Sequence, residues 1–491
     1  MAVQGADVLV VGAGVVGRSL AFALAVAEPS VRVVLAGDTG GAAANAAASG
    51  AAGAMLGALG EVTECGLRTR HGRLRTDLAV EAAGLWPSWR ARVRTAAGAA
   101  APDRDGYGTG TFMILNAVSS ALDDASFTAV AQAAAEYGLG CEETTPAGIP
   151  GYRPLDNDRA LRAWYLPGEG FLDARAWLAT LDTALAALPH TIRTPAGTLT
   201  AAPEGGYLLD TPAGVFRAPR AVVAAGAWTT PILEALDPDL PVVPVLAAAG
   251  TAVTVTGPET WPAVIRTPNR AYACGLHAVP QADGSLYLGA SAHPALTPPR
   301  PTAGALRFLL DAALSQLDHR LAGAGITHTH HGNRPLSLDG HPVIGPTLRE
   351  GLWVASGTHR DGLHASPLIA AALADALLAP TPTDDPLPGV LAAFDPGREL
   401  ISDLTVKEAA AEAAAHHAAL AAEARMRPPL TGAWPQTLAD GYADLLDRAY
   451  AAMPEGYIPP PDLAPLAYES TGPALAEIAA AHLARHDRAH A

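Results

Sequence analysis

The chain has 491 residues, 49% of them hydrophobic, so it can bury a sizeable core in roughly two to four structural units. With 32 Lys and Arg against 48 Asp and Glu, its formal net charge is −16, and such an acidic surface repels phosphate backbones and argues against nucleic-acid partners. The three cysteines form no CxxC pair, which predicts no metal site and fits a reduced cytoplasmic setting, and no uncharged run convincingly reaches membrane-spanning length.

The chain opens with a pattern of strand, glycine-rich turn and helix. A buried strand is predicted over 7–11 and a helix from residue 18 to 27. Between them stands GxGxxG, at Gly12, Gly14 and Gly17, with Val16 inside the turn. The first glycine allows a tight turn, the second lets the backbone approach a pyrophosphate, and the third lets helix and strand pack closely. This pattern predicts a dinucleotide site, but by itself it does not distinguish NAD from FAD.

The second predicted strand, over 31–35, should end beside the ribose of that dinucleotide. An acidic residue is expected there to hold the ribose hydroxyls. Ala36 stands where the acid usually falls, and Asp38 is the nearest carboxylate. Asp38 is therefore predicted either to bind the ribose or to serve only as a turn residue.

Hydrophobic periodicity predicts further helices and strands up to about residue 400. The predicted elements are helices over 77–95, 124–137, 172–188, 303–321 and 367–378, and strands over 109–115, 220–228, 242–255, 272–280, 285–290, 327–331 and 353–356. Beyond that point, residues 401–491 are predicted to be a helical appendage with helices over 402–426, 436–453 and 473–488. This appendage could cover a pocket, form the arm of a homo-oligomer, or be a loosely packed tail.

Four later segments carry a resemblance to a known family. They are a loop of small residues within 45–61, a strand and glycine turn at 222–228, an Arg-Pro and Asp-Gly-x-Pro-x-Ile-Gly pattern at 332–345, and a glycine-rich loop at 356–363. On these segments the chain resembles the D-amino-acid oxidase superfamily of FAD-dependent oxidoreductases, and within it the glycine oxidase and sarcosine oxidase group. The resemblance covers roughly residues 5–400.

The resemblance implies an α/β fold of interleaved domains. A Rossmann-like FAD-binding domain would be formed by residues 1–80, 165–240 and 326–400. An α+β substrate-binding domain with an antiparallel sheet would be formed by residues 81–164 and 241–325, and the C-terminal helical appendage would follow.

The cofactor implied by the resemblance is non-covalent FAD. In the family, the loop of small residues passes along the isoalloxazine ring, and the last glycine-rich loop faces the flavin pyrimidine. Small residues suit such a loop because only a thin backbone fits flush against a flat ring. The residues implied to contact FAD, besides those of the first turn and Asp38, are Ser49, Ala52, Gly53, Met55, Ala225, Gly226, Trp228, Gly357, Arg360, Asp361, Gly362 and Leu363.

The substrate site implied by the resemblance centres on Arg334. In relatives that oxidise amino acids, the arginine at this position pairs with the substrate carboxylate, and a planar fork of donors suits that task. His277 stands where glycine oxidases have a tyrosine, and Met55 and His359 are expected to border the pocket. Sarcosine oxidases use a lysine above the flavin to activate O₂. The only lysine here is Lys407, in the appendage, so rapid reaction with O₂ is in doubt.

The activity implied is oxidation of an amino acid or related amine, with hydride transfer to flavin N5 and an imine as product. O₂ or another acceptor would then reoxidise the flavin. One alternative is a flavin enzyme that tailors a secondary-metabolite or carrier-bound amine and uses an acceptor other than O₂. A NAD-dependent dehydrogenase would leave the last three segments unexplained, and a non-catalytic flavin scaffold would use residues 401–491 to bind a partner.

Overall fold

The structure is a computed structural model that describes residues 3–38, 46–102, 104–271, 275–380, 387, 389–426 and 434–491. Asn45, the first residue of the predicted flavin loop, and the start of the strand predicted over 272–280 lie outside this range. The described strands are β1 (Val3–Gly5), β2 (Val8–Val11), β3 (Val33–Ala36), β4 (Met55–Leu56), β5 (Gly108–Asn116), β6 (Glu142–Thr144), β7 (Ala160–Phe171), β8 (Thr191–Thr194), β9 (Thr198–Ala201), β10 (Tyr207–Thr211), β11 (Gly214–Ala218), β12 (Arg220–Val223), β13 (Val245–Val255), β14 (Val264–Arg266), β15 (His277–Pro280), β16 (Leu286–Gly289), β17 (His293–Ala295), β18 (Ile326–Ser337), β19 (Val343–Pro346) and β20 (Leu352–Ser356).

The helices lie mainly between these strands and after them. The described α-helices are α1 (Val15–Ala27), α2 (Glu64–Arg68), α3 (Arg70–Ala97), α4 (Ala121–Glu136), α5 (Ala174–Ala186), α6 (Thr229–Leu236), α7 (Ala303–Gln316), α8 (Ser366–Leu378), α9 (Val406–Glu423), α10 (Trp434–Tyr450), α11 (Ala464–Tyr468) and α12 (Gly472–His490). Several begin where the sequence supplies a cap: the Asp173 side chain accepts hydrogen bonds from the first turn of α5, and Thr302 does the same for α7.

A sheet of six described strands carries the glycine-rich turn. Its strand order is β19-β20-β12-β2-β3-β8; the strands from β20 to β8 pair in parallel, and β19 is an antiparallel edge. Residues 8–11 are buried along their whole length because both faces of the sheet are covered, which explains the unbroken apolar run. Helices α1, α5 and α8 share the core on one of these faces.

A second, larger sheet is mostly antiparallel and holds ten described strands. Its main order is β17-β13-β16-β15-β14-β5-β7-β4, with β18 beside β13 and β6 beside β7. Strand β18 is longer than the strand predicted over 327–331, because its pairing with β13 continues from Ile326 to Ser337. Arg334 therefore lies within a paired strand, opposite Ala248, and not in a loop after it.

The C-terminal appendage joins the hydrophobic core on the face of the six-stranded sheet opposite α1, a core that the four-stranded sheet β1-β11-β10-β9 also shares. Residues from α9 to α12 share one hydrophobic core with Leu9 and Val11 of β2, and Leu446 and Leu475 are fully buried in it. Helix α9 starts with a capping box formed by Thr405 and Glu408. A segment that contributes buried leucines to a shared core is an integral part of the fold, so the structure does not support a loosely packed tail.

The predicted α/β fold class and the three appendage helices are confirmed. The predicted domain boundaries stay a prediction; β18, placed in the third FAD-binding segment, pairs within the larger sheet. Among the described residues, no helix combines the length and the apolar character needed to cross a bilayer.

Candidate active site

A cavity of about 590 Å³ lies at the carboxyl ends of β2 and β12, where open α/β sheets bind their ligands. Its wall is formed mainly by the turn after β2, the end of β3, residues 47–52, residues 196–199, the turn after β12, the last part of β18 and the loop after β20. These parts are far apart in sequence, and the two sheets bring them together.

The glycine-rich turn forms one end of the cavity. Gly12 has a φ of 124°, and a Cβ there would lie 2.2 Å from the carbonyl oxygen of Ala224. A Cβ on Gly17 would lie 1.9 Å from the carbonyl oxygen of Gly12, so this glycine lets α1 pack on the turn without itself lining the cavity. Neither position accepts a side chain, and the turn faces the cavity with bare backbone.

The end of β3 forms the wall beside this turn. Asp38 is exposed and lines the cavity two residues after the strand ends. A Cβ on the preceding Gly37 would lie 2.4 Å from the backbone nitrogen of Ala13, so the strand end packs directly on the glycine-rich turn. Asp38 thus follows a residue that packs on the turn, and its ribose role stays a prediction.

The loop of small residues is held from the side of the larger sheet. The Tyr287 hydroxyl donates to the Ala51 carbonyl at 2.8 Å, and the Asn333 side-chain amide donates to the Ala46 carbonyl at 3.2 Å. A Cβ on Gly53 would come within 2.8 Å of the Tyr287 ring. The loop is therefore a thin layer of backbone clamped by β16 and β18.

Arg334 presents a cation to the cavity. Its side chain is partly buried, and Nη1 donates to the Ser291 carbonyl at 3.0 Å. The guanidinium lies over Gly250, where a Cβ would meet Nη1 at 2.4 Å, so only glycine leaves room for it. Across the described part of the chain, no carboxylate lies within ion-pair distance of Arg334, which leaves donors for an anionic ligand.

His277 is buried beside this arginine. Its ring stacks on Tyr287 at a centroid distance of 5.9 Å, and its Nδ1 is 3.2 Å from the Gly275 carbonyl. Burial lowers the pKa of His277 to about 4, with a further contribution from the positive charge of Arg334. The imidazole is therefore neutral at pH 7. If Nδ1–H donates to Gly275, Nε2 carries the lone pair, and this nitrogen faces Gly53 and Gly289.

The loop after β20 closes the other end of the cavity. His359 has a φ of 47°, is buried, and donates its backbone N–H to the Pro335 carbonyl at 2.8 Å. Burial holds the pKa of His359 well below its usual range, so this ring is also neutral. Arg360, the next residue, lines the cavity and pairs with Glu61 at 3.2 Å.

Three observations test whether FAD fits these residues. The glycine-rich turn has no room for a Cβ at Gly12 and presents bare backbone to the cavity. Such a turn at the start of a helix is suited to a pyrophosphate. The buried atoms His359 Nε2 and Asn333 Oδ1 line the cavity without a hydrogen-bond partner among the described residues, as expected of groups that contact a polar ligand. One continuous cavity joins the turn to Arg334, as a molecule with a nucleotide at one end and a ring at the other requires. The residues fit FAD.

Most of the predicted site residues meet at this cavity. Those that line it are Gly12, Gly14, Val16, Asp38, Ser49, Ala52, Ala225, Gly226, Trp228, Arg334, His359, Arg360, Gly362 and Leu363. The role of each one stays a prediction.

The other predicted residues support the wall from behind. Met55 pairs with Phe171 across β4 and β7, and Gly357 packs on β19 with a φ of 70°. The Asp361 side chain pairs with Arg75 at 3.0 Å. Gly17, Gly53 and His277 lie one layer behind the cavity surface, against the residues described above.

Sequence reasoning missed two residues that shape this site. Tyr287 both lines the cavity and clamps the loop of small residues, and Asn333 holds the same loop from β18. In the hairpin of β15 and β16, His277 pairs with Gly289, and this register places Tyr287 near His277 on the same face of the sheet. Predicting that register from the sequence would have identified Tyr287. Asn333 precedes Arg334 in the quoted motif but carried no signal of its own.

Comparison with known proteins identifies a family. The family model described as FAD dependent oxidoreductase matches residues 7–376. The glycine oxidase of Pseudomonas putida is 32% identical over 230 residues, a match that covers 46% of this chain and 60% of that relative. The glycine oxidase of Geobacillus kaustophilus is 28% identical over 374 residues, covering 75% of this chain and 92% of the relative.

Solved structures show the same architecture. The crystal structure of the Geobacillus kaustophilus glycine oxidase superposes with a TM-score of 0.65 at 25% sequence identity, covering 80% of this chain and 99% of that one. Iminodiacetate oxidase from Chelativorans superposes with a TM-score of 0.62 at 20% identity, covering 79% and 99%, and supports the fold alone.

Proposed function

Because the chain belongs to the family of FAD-dependent oxidoreductases, we propose that it oxidises a small amino acid or related amine at the carbon next to the amine nitrogen. The relatives named glycine oxidase support an amino-acid substrate. The proposal concerns this bond and this substrate class; the FAD cofactor follows from the family.

One observation carries the proposal: the Arg334 guanidinium faces the cavity without a carboxylate partner among the described residues. Arg334 is partly buried, and a substrate carboxylate would provide its guanidinium with a counter-ion. Two parallel hydrogen bonds from the guanidinium would also fix the direction of the α-carbon.

FAD, when bound, supplies the two-electron acceptor for the hydride that leaves the substrate carbon. Arg334 would hold the carboxylate. Neutral His277 stacks on Tyr287 behind the cavity surface, so it would help to shape the pocket without adding a second positive charge beside Arg334. His359, which lines the cavity, and Met55, in the layer behind it, would also help to shape the pocket.

The test is an anaerobic titration of the purified holoenzyme, followed by the visible absorbance of its flavin. We expect glycine, sarcosine or another small amino acid to bleach the band, while amines of similar size without a carboxylate act only weakly. If amines with and without a carboxylate bleach the band equally well, the role of Arg334 is wrong. If no amine bleaches it, the proposed reaction is wrong.

A second candidate is oxidation of a larger amine with an acceptor other than O₂. A second cavity of about 360 Å³ lies between α7 and the appendage, and Gly289 and Ser291, which line it, belong to the wall behind His277 and Arg334. The chain's one lysine, Lys407, is exposed on α9, so no lysine serves the cavity. Admitting air to the bleached enzyme distinguishes the two: rapid return of the band supports O₂, and a stable bleached form supports another acceptor.

A further inference from the structure

A proline-rich segment of the appendage, residues 458–465, lies behind the FAD cavity. The Tyr457 hydroxyl donates to the Leu338 carbonyl at 3.1 Å, and Pro460 packs on Gly340, where a Cβ would meet its ring at 3.3 Å. These contacts hold Tyr457 and Pro460 in place. Asp462, two residues after Pro460, therefore lies beside Arg360.

Arg360 is bound from three sides. Nη1 donates to Glu61 Oε2 at 3.2 Å, while Nη2 donates to the Arg270 carbonyl at 2.8 Å and to Asp462 Oδ1 at 3.3 Å. The Arg360 side chain is only 9% exposed, and it lines the cavity. The appendage thus supplies a carboxylate to an arginine of the cofactor site.

The two carboxylates at Arg360 differ in how firmly they hold a negative charge. Burial raises the pKa of Glu61 despite the neighbouring Arg360. Burial also opposes ionisation of Asp462, but the positive charge of Arg360 outweighs it with help from neighbouring groups, and the pKa of Asp462 lies below its usual value. Of the two carboxylates, Asp462 is the one whose ionised form is favoured beside Arg360.

Charge beside the flavin changes its reduction potential. Reduction adds negative charge to the ring, and a nearby cation favours the reduced form. In a site with little water, charges act over longer distances than they do in solvent. A carboxylate that neutralises Arg360 therefore favours the oxidised form.

We propose that Asp462 is a positioning and charge-setting residue of the FAD site, acting through Arg360 to lower the midpoint potential of the bound flavin. The appendage, in which Asp462 lies, is then a working part of the cofactor site. This inference rests on the bound FAD of the proposed function and not on any particular substrate.

The test is the midpoint potential of the full-length holoenzyme, measured by reductive titration against a reference dye with no amine present. We expect Asp462→Asn to shift the potential to a more positive value, since the amide can keep the hydrogen bond but loses the charge. Arg360→Gln should shift it to a more negative value. The matched control is Asp403→Asn: Asp403 also lies in the appendage and pairs with His71 at 2.7 Å, but it does not line the cavity, so the potential should stay at the wild-type value.

A merely structural role for Asp462 gives a different result. In that case Asp462→Asn lowers the melting temperature while the potential stays unchanged, and the proposal is overturned. If Asp462→Asn loses FAD on purification, the potential is measured with added FAD, and Asp462→Glu becomes the second variant. A glutamate that restores both FAD and the wild-type potential supports the proposal, and one that restores neither contradicts it. Because no amine is used, failure of the amine-oxidation proposal would leave this result standing.

Discussion

Replacing Arg334 by alanine removes the cation that we expect to bind the substrate carboxylate. The side chain lines the cavity from β18, opposite Ala248, and one of its N–H groups is already bound to the Ser291 carbonyl. The remaining N–H groups of the guanidinium fork are the donors that a carboxylate would take up.

The size of the effect follows from these donors. Hydrogen bonds to a charged group contribute about 1.5 to 3 kcal/mol each, and the lower value is appropriate here because Arg334 is only partly buried. Two such bonds give about 3 kcal/mol, which corresponds to a roughly 100-fold weaker affinity for a carboxylate. Arg334→Lys keeps the charge but loses the fork, so we expect an intermediate loss.

The assay is the dissociation constant of a non-reacting carboxylate such as acetate or glycolate, measured from the change it causes in the flavin spectrum. FAD content serves as the control: we expect it to change far less than the carboxylate affinity. A change in affinity of less than about threefold in Arg334→Ala would refute this reasoning, because it would mean that the carboxylate is held elsewhere.

Three further predictions concern the cofactor and pH. Gly12→Ala should give protein without FAD and with a lower melting temperature, since its Cβ would lie 2.2 Å from the Ala224 carbonyl oxygen; Gly5→Ala, where a Cβ meets no atom within 4 Å, should retain FAD and the wild-type melting temperature. Asp38→Ala should weaken FAD binding about tenfold in a reconstitution titration if the carboxylate holds the ribose, and unchanged binding would make it a turn residue. His277 has a folded pKa of about 4 against 6.5 when unfolded, so its neutral form stabilises the protein above pH 6.5, and this stabilisation is lost as the pH falls towards 4. Melting temperatures should therefore drop less between pH 7 and pH 5 in His277→Gln than in the wild type, and equal drops would contradict the pKa.

Local patterns were enough to predict the parts of the site that depend on neighbouring residues. The apolar run of β2 and the spacing of Gly12, Gly14 and Gly17 specify a strand, a turn and a helix within a few residues, and the structure contains them. The family resemblance added Arg334, whose partners no local pattern indicates. Strand β18 was predicted too short, because its pairing with β13, about 80 residues earlier, extends it beyond the local signal.

Contacts between distant segments were not predictable in the same way. Asp462 and Arg360 are 102 residues apart, and nothing in either local sequence marks them as a pair. The clamp of Tyr287 on Ala51 spans 236 residues. Such pairs depend on how the sheets and the appendage come together, which single-sequence periodicity does not encode. The sequence predicted the appendage helices and left their role open, and the surface on which they dock became evident only from the core that they share with β2.

The six-stranded sheet takes its strands from three widely separated regions of the chain, residues 8–36, 191–223 and 343–356, and its last central strand, β20, ends at Ser356. During synthesis, β2 and β3 are therefore made more than three hundred residues before their sheet is complete, and the appendage leucines that join the core on its second face follow later still. Long-range pairing of this kind is slow and leaves apolar edges exposed in the meantime. We expect ribosome-bound chains that end near residue 400 to remain sensitive to protease and to bind FAD poorly, and chaperones to matter more for this enzyme than for relatives without the appendage; protection of such truncated chains equal to that of the released protein would argue against it.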